Sequence, residues 1–179
     1  MRRSLVAVAA AALIAGLLPI SASNVSAGAA STTTDLMTCP VNADVVIDPA
    51  TSHAVFNAAY VGCVVNPGAE NVSAWTITWA TGNVSCLHGG RLFHLEANNF
   101  LIEWTRRDLS TATGTANAIV EVDLNSATLI RMDVHITSGP FAGAHVRAIA
   151  PDGPIVVDGL GCPGINRISF YNVQTVYST

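Results

Sequence analysis

From Ser73 onward, apolar residues recur at every second position, in runs punctuated by turn residues. Trp75, Ile77 and Trp79 share one side of a run with Thr76 and Thr78 on the other, ahead of Thr81-Gly82-Asn83. After His88-Gly89-Gly90 come Arg91 to Glu96, a break at Asn98-Asn99, and then Phe100, Ile102 and Trp104 on one face of a run reaching Arg106. Ala116, Ala118, Val120, Val122 and Leu124 alternate with Asn117, Glu121 and Asp123, and Ile130, Met132, Val134 and Ile136 alternate with Arg131, Asp133 and His135. A last run, Arg167 to Tyr177, spreads its apolar residues over both faces. Period-two alternation between turn signals predicts antiparallel strands with one wet face. No segment past the N-terminal leader carries an apolar stripe at helical spacing. The expected fold is all-β: an antiparallel β-sandwich or flattened β-barrel of about eight to ten strands.

Parity constrains one hairpin, Leu129 to Ala150, closely. Ile130, Met132, Val134 and Ile136 are even-numbered, and so are Ala144, Val146, Ala148 and Ala150. Opposed residues point to one face, so even must oppose even. Two registers satisfy this. One opposes Val134 to Val146, Asp133 to Arg147 and His135 to His145, around the three-residue loop Gly139-Pro140-Phe141. The other sets His135 against Arg147, which gathers like charge at low pH. The first is expected, with a bulge at Gly139 or Gly143 as the foreseeable departure.

The first residues do not fit this pattern. Arg2 and Arg3 precede an apolar run from Leu5 to Leu18, then Pro19 and small residues, the layout of a secretory signal peptide. The run is shorter than the ~18–20 residues a bilayer span needs. Residues 1–29 are expected to be the signal and cleavage region, 30–36 a flexible arm, and 37–179 a single β domain. The protein is therefore expected outside the cell, with no membrane insertion after cleavage. Removing 29 of the 179 residues leaves 150, with six Arg against 12 acids and no Lys, a formal charge of −6. That balance argues against nucleic acid as a partner. A chain of this size can bury one respectable core.

Cys39, Cys63, Cys86 and Cys162 all lie in the exported part. An even number in an oxidising compartment reads as two disulfides, and no C-x-x-C pair points to zinc or thioredoxin chemistry. Three connectivities are open on spacing alone. The expected one pairs Cys39 with Cys63, tying consecutive strands, and Cys86 with Cys162, clamping the C-terminal strand to the middle of the chain. The contexts Thr38-Cys39, Gly62-Cys63, Ser85-Cys86 and Gly161-Cys162, with the turn Ser138-Gly139-Pro140-Phe141-Ala142-Gly143, resemble those of small secreted β-rich four-cysteine proteins of actinobacteria. The resemblance implies a fold and a compartment. It carries no functional residues, because that group has no established activity.

Candidate chemistry is sparse. There is no G-x-S-x-G, and a glycosidase needs two carboxylates facing across a cleft, whereas the acids here are spread singly along strand faces. Glu121 and Asp123 share a strand face, with Glu96, Glu103 and Asp108 nearby in sequence. His94 and Glu96 would sit about 7 Å apart on one strand face, and His135 could meet His145 across the hairpin, but a zinc site needs three or four converging ligands. No catalytic, cofactor or metal residues are assigned. Trp75, Trp79 and Trp104 could form a carbohydrate strip, but sharing faces with Ile77 and Ile102 they read as core. The expected function is a non-catalytic binding or extracellular structural role, with a small apolar ligand or a surface partner. The alternative is a small hydrolase built from Asp, Glu and His, which would show a deep polar pocket holding at least two of His94, Glu96, Glu103, Asp133 and His135.

Overall fold

Ten strands join, in the computed structural model, into a single antiparallel sheet that closes on itself. The structure describes residues 34–67, 71–150, 154–162 and 164–179. The strands are β1 (Asp35–Asp48), β2 (His53–Val61), β3 (Val64–Val65), β4 (Val72–Leu87), β5 (Leu92–Arg106), β6 (Thr111–Asp123), β7 (Thr128–Ile136), β8 (His145–Ala150), β9 (Ile155–Gly159) and β10 (Ile165–Ser178). The ring runs β1-β2-β4-β5-β6-β7-β8-β10, and β10 returns to β1, giving a closed eight-stranded barrel with β3 and β9 as extra strands. β3 follows β2 along one flank of β1, and β9 follows β8 along one flank of β10. Asp44 pins the closure, accepting from Arg167 Nη2 at 2.9 Å and from Ser169 Oγ at 2.5 Å. β1 begins at Asp35, so the arm expected through residue 36 gives its last two residues to the sheet. The leader, 1–29, and residues 30–33 lie outside the described residues.

Three bulges bend this wall, and each has the same construction. On β4 the inward set switches from Trp75 and Ile77 to Ala80, on β5 from Leu95 and Ala97 to Phe100 and Ile102, and on β10 from Ile168 and Phe170 to Val173. At each switch one residue takes a left-handed backbone: Trp79 (φ 55°), Asn99 (φ 54°) and Asn172 (φ 52°). Its N–H donates to the side-chain oxygen of an Asn on the neighbouring strand: Asn57 at 2.8 Å, Asn117 at 2.8 Å and Asn42 at 2.9 Å. The extra residue bends and twists the strand, the device by which a sheet curls to closure. Asn tolerates this conformation. For a bulky residue such as Trp it costs roughly 1–2 kcal/mol.

The bulges correct several expectations. Thr81-Gly82-Asn83 and Asn98-Asn99 are not turns, because β4 and β5 run straight through them. Trp79 leaves the apolar face it was expected to share with Trp75 and is 74% exposed. The two-faced pattern of residues 167–177 is one strand whose parity changes at Asn172. A further register shift between β6 and β7 turns Ile130 outward and seats Leu129 inside instead.

The hairpin register holds: Val134 opposes Val146, Asp133 opposes Arg147 and His135 opposes His145. The loop is longer than expected. The Ile136 N–H still donates to the Ala144 carbonyl, but Gly143, at φ 89°, donates back to the Ile136 carbonyl, while Thr137 and Ser138 turn away and donate their N–H groups to Thr115 on β6. Gly114 makes this possible, since a Cβ there would strike the Ser138 carbonyl and approach Trp104 Cζ3 to 2.8 Å.

Both disulfides form as expected, Cys39–Cys63 and Cys86–Cys162. They stand at opposite ends of the barrel. Cys39–Cys63 is buried beneath β3, whereas Cys86 is exposed at the end of β4 and Cys162 lies between β9 and β10.

Candidate functional site

The barrel interior is packed rather than hollow. Between apolar side chains such as Phe56, Leu95, Met132 and Phe170 it leaves a void of about 40 Å³. That is far below the 150 Å³ at which an apolar cavity takes up benzene.

The two barrel ends differ. One is sealed by an aromatic cluster: Tyr60 stacks on Trp75, the Tyr177 ring stands 5.6 Å edge-on to Trp75, and Phe141 bridges Tyr177 (5.4 Å) to Trp104 (5.7 Å). Burial pushes the Tyr60 and Tyr177 phenols well above the usual tyrosine value, so both stay neutral. The Trp104 indole weakly favours ionised Tyr177, but the pair falls short of hydrogen-bond geometry and both polar atoms are unpartnered.

The other end carries a hollow of about 390 Å³. Its floor is Ile47, Phe93 and Ile165, all buried, and its wall includes Val84 and the Cys86–Cys162 disulfide. Four segments meet there: the β1–β2 turn at Pro49 and Ser52, the end of β4, the start of β5 and the start of β10. Gly90, with φ 86°, lets the β4–β5 turn close against the Cys162 carbonyl, 2.9 Å from where a Cβ would stand. The volume lies in the ~300–1,000 Å³ range of small-molecule sites.

The titratable residues singled out from sequence lie mostly on the outer face, and most are held by a neighbour. His94 Nδ1 meets Glu121 Oε1 at 3.0 Å, and Arg91 donates to Asp123 at 2.8 Å. Asp133 takes His145 Nδ1 at 2.8 Å and Arg131 at 3.4 Å, with Arg147 at 3.9 Å, and the His135 ring stacks on His145 at 4.6 Å. Asp108 is tied up in its own turn with Ser110, and Glu96 holds Asn98. The hollow beside β7 contains Asp133 but none of His94, Glu96, Glu103 or His135. Among the described residues, no three His, Cys, Asp or Glu side chains converge as metal ligands.

These pairs set an acid limit. Arg167 and then Ser169 hold the Asp44 carboxyl below the usual carboxylate range, and Arg91 does the same for Asp123. Burial pushes Asp133 upward, but the His145 hydrogen bond together with Arg131 and Arg147 outweighs it, and the net shift is down. A carboxyl depressed in the folded state contributes stability above its unfolded pKa, ~3.9, and loses it as pH falls through the folded value. The urea midpoint should therefore hold between pH 7 and 5 and drop by pH 3. The D44N/D123N variant should show a shallower drop. An equal midpoint at pH 5 and pH 3 would contradict the assignment.

No family model, curated protein or solved structure matches the chain. Two cystines fit an extracellular protein, and among the described residues no helix is long and apolar enough to cross a membrane.

Proposed function

We propose that this is a secreted, non-catalytic binding module, exported by its N-terminal signal and of the actinobacterial four-cysteine kind its cysteine contexts resemble. Its open barrel end takes a small apolar ligand. The observation that carries this reading is the asymmetry of the ends: aromatics fill one, while the other keeps an apolar hollow floored by Phe93, Ile47 and Ile165. Burying a ligand there removes apolar surface from water at roughly 25 cal/mol per Å² without asking the core to open. The hydrolase alternative loses support because the hollow that contains Asp133 holds none of His94, Glu96, Glu103 or His135. The test is fluorescence titration with the neutral probe N-phenylnaphthylamine. Saturable enhancement by the native protein, lost in Val84→Phe, is expected. No enhancement, or equal enhancement by the variant, would overturn the reading.

A further inference from the structure

Trp79 is placed where its conformation is unfavourable and its side chain unprotected. The two sister bulges put Asn at the left-handed position, the residue that tolerates it best after Gly, whereas β4 puts Trp there, at φ 55° and 74% exposed. Neither burial nor backbone preference accounts for Trp at that site. A strained residue held in place by its surroundings points to a use for its side chain.

The surroundings show the use. Beside Trp79, a groove of about 320 Å³ crosses the outer face of β10, β1, β2 and β4. Thr76 and Thr78, just before Trp79, form one rim, and Tyr171, 45% exposed, forms the other. Three strand spacings set the rims about 14 Å apart. Two bulges flank this groove, and each carries an exposed aromatic: Tyr171 lines the groove itself, and Trp79 directly follows the lining residue Thr78. The third bulge, at Asn98-Asn99, has no aromatic.

The groove also holds preorganised donors. Asn42 and Asn57 both line it, and each accepts a bulge N–H at its Oδ1. That bond fixes the amide's orientation, because the oxygen must face the N–H, so the Nδ2 group of each is the half left to the groove. Among the described residues neither Nδ2 has a protein partner. Asp44, also in the groove, is already taken by Arg167 and Ser169 and brings no free charge. A ligand here meets aromatic faces at the edges, small Ala59 between them, two fixed amide donors, and hydroxyls at Thr76 and Thr78 that both give and accept.

We infer that this groove is a second binding site, distinct from the open barrel end, and that it takes a neutral short oligosaccharide. Sugar rings offer an apolar face to Trp79 and Tyr171, and their hydroxyls match both the amide donors and the two-way threonine hydroxyls. A proline-rich peptide would offer flat apolar rings too, but its carbonyls only accept, so they can take the amide and threonine protons and supply no donor to the threonine oxygens.

The protein carries its own reporter. Trp75 and Trp104 are fully buried, so acrylamide-quenchable tryptophan emission comes from Trp79. The full exported chain is titrated with cello-, xylo-, manno- and chito-tetraose while quenching is followed. At least one should protect Trp79 several-fold from quenching, saturably and independently of salt. Trp79→Asn should abolish binding to that sugar, read by calorimetry, while raising the thermal midpoint because the strained aromatic is gone. Val84→Phe should leave sugar binding intact, which separates this site from the barrel end. Protection by none of the four sugars, protection by a polyproline peptide instead, or a Trp79→Asn protein that still binds sugar would each overturn the inference.

Discussion

Mild reduction of the folded protein is expected to open Cys86–Cys162 and leave Cys39–Cys63 intact. Thiol–disulfide exchange requires access to a sulfur, and exposed cystines are the labile ones. Cys39 and Cys63 are buried beneath β3, while Cys86 is exposed at the end of β4. The accessible bond is also the one that contributes more to stability. It joins residues 76 apart, against 24 for the other, which by loop-closure entropy corresponds to about 4–5 kcal/mol against about 3–4 kcal/mol. Opening it should lower the thermal midpoint by about 10–20 °C, and it also loosens a wall of the apolar hollow. Timed alkylation followed by peptide mass spectrometry decides the order. Labelling of Cys39 and Cys63 first, or of all four cysteines together, would refute it.

How far the sequence could be read depended on whether strands stayed in phase. β6 and the upper half of β7 do, so alternation puts the even-numbered residues from Ala116 to Val122 and from Met132 to Ile136 inside, where they stand, and parity gives the His135–His145 pair. β4, β5 and β10 each carry an extra residue at a left-handed bulge, and a single insertion inverts every side chain beyond it. Asn98-Asn99 reads as a turn because turns and left-handed bulges favour the same residues. Barrel could not be told from sandwich because closure rests on contacts such as Asp44 with Arg167, which no local pattern encodes. The site was least legible for the same reasons. The apolar hollow is assembled from distant segments, and Trp79 reads as core by alternation because the pattern does not show the bulge that turns it outward. One signal was available in the chain. Asn-Ala recurs at Asn42, Asn57 and Asn117, each an outward Asn on an otherwise regular strand, and each marks the partner of a bulge.

Replacing Trp75 and Trp79 by Ala should have opposite consequences, although they stand only four positions apart on one strand. Trp75 has no exposed surface, stacks on Tyr60 and meets the edge of Tyr177 at the sealed end. Its loss leaves a cavity that rigid barrel walls cannot fill, and large aromatic deletions of this kind cost about 3–5 kcal/mol. Some of that cost is offset, because the Trp75 indole N–H is itself buried without a partner and its desolvation penalty disappears with it. Trp79 buries little, and the Asn57 bond that holds its bulge comes from the backbone N–H, which Ala keeps. The Trp79→Ala change should therefore stay within about 0.5 kcal/mol of the parent. Urea unfolding of both variants at neutral pH is the measurement. A regular β4 without the bulge would place both rings inside and make both variants costly. A Trp79→Ala loss above ~2 kcal/mol would therefore refute the parity switch between Ile77 and Ala80, and with it the exposed aromatic rim on which the groove depends.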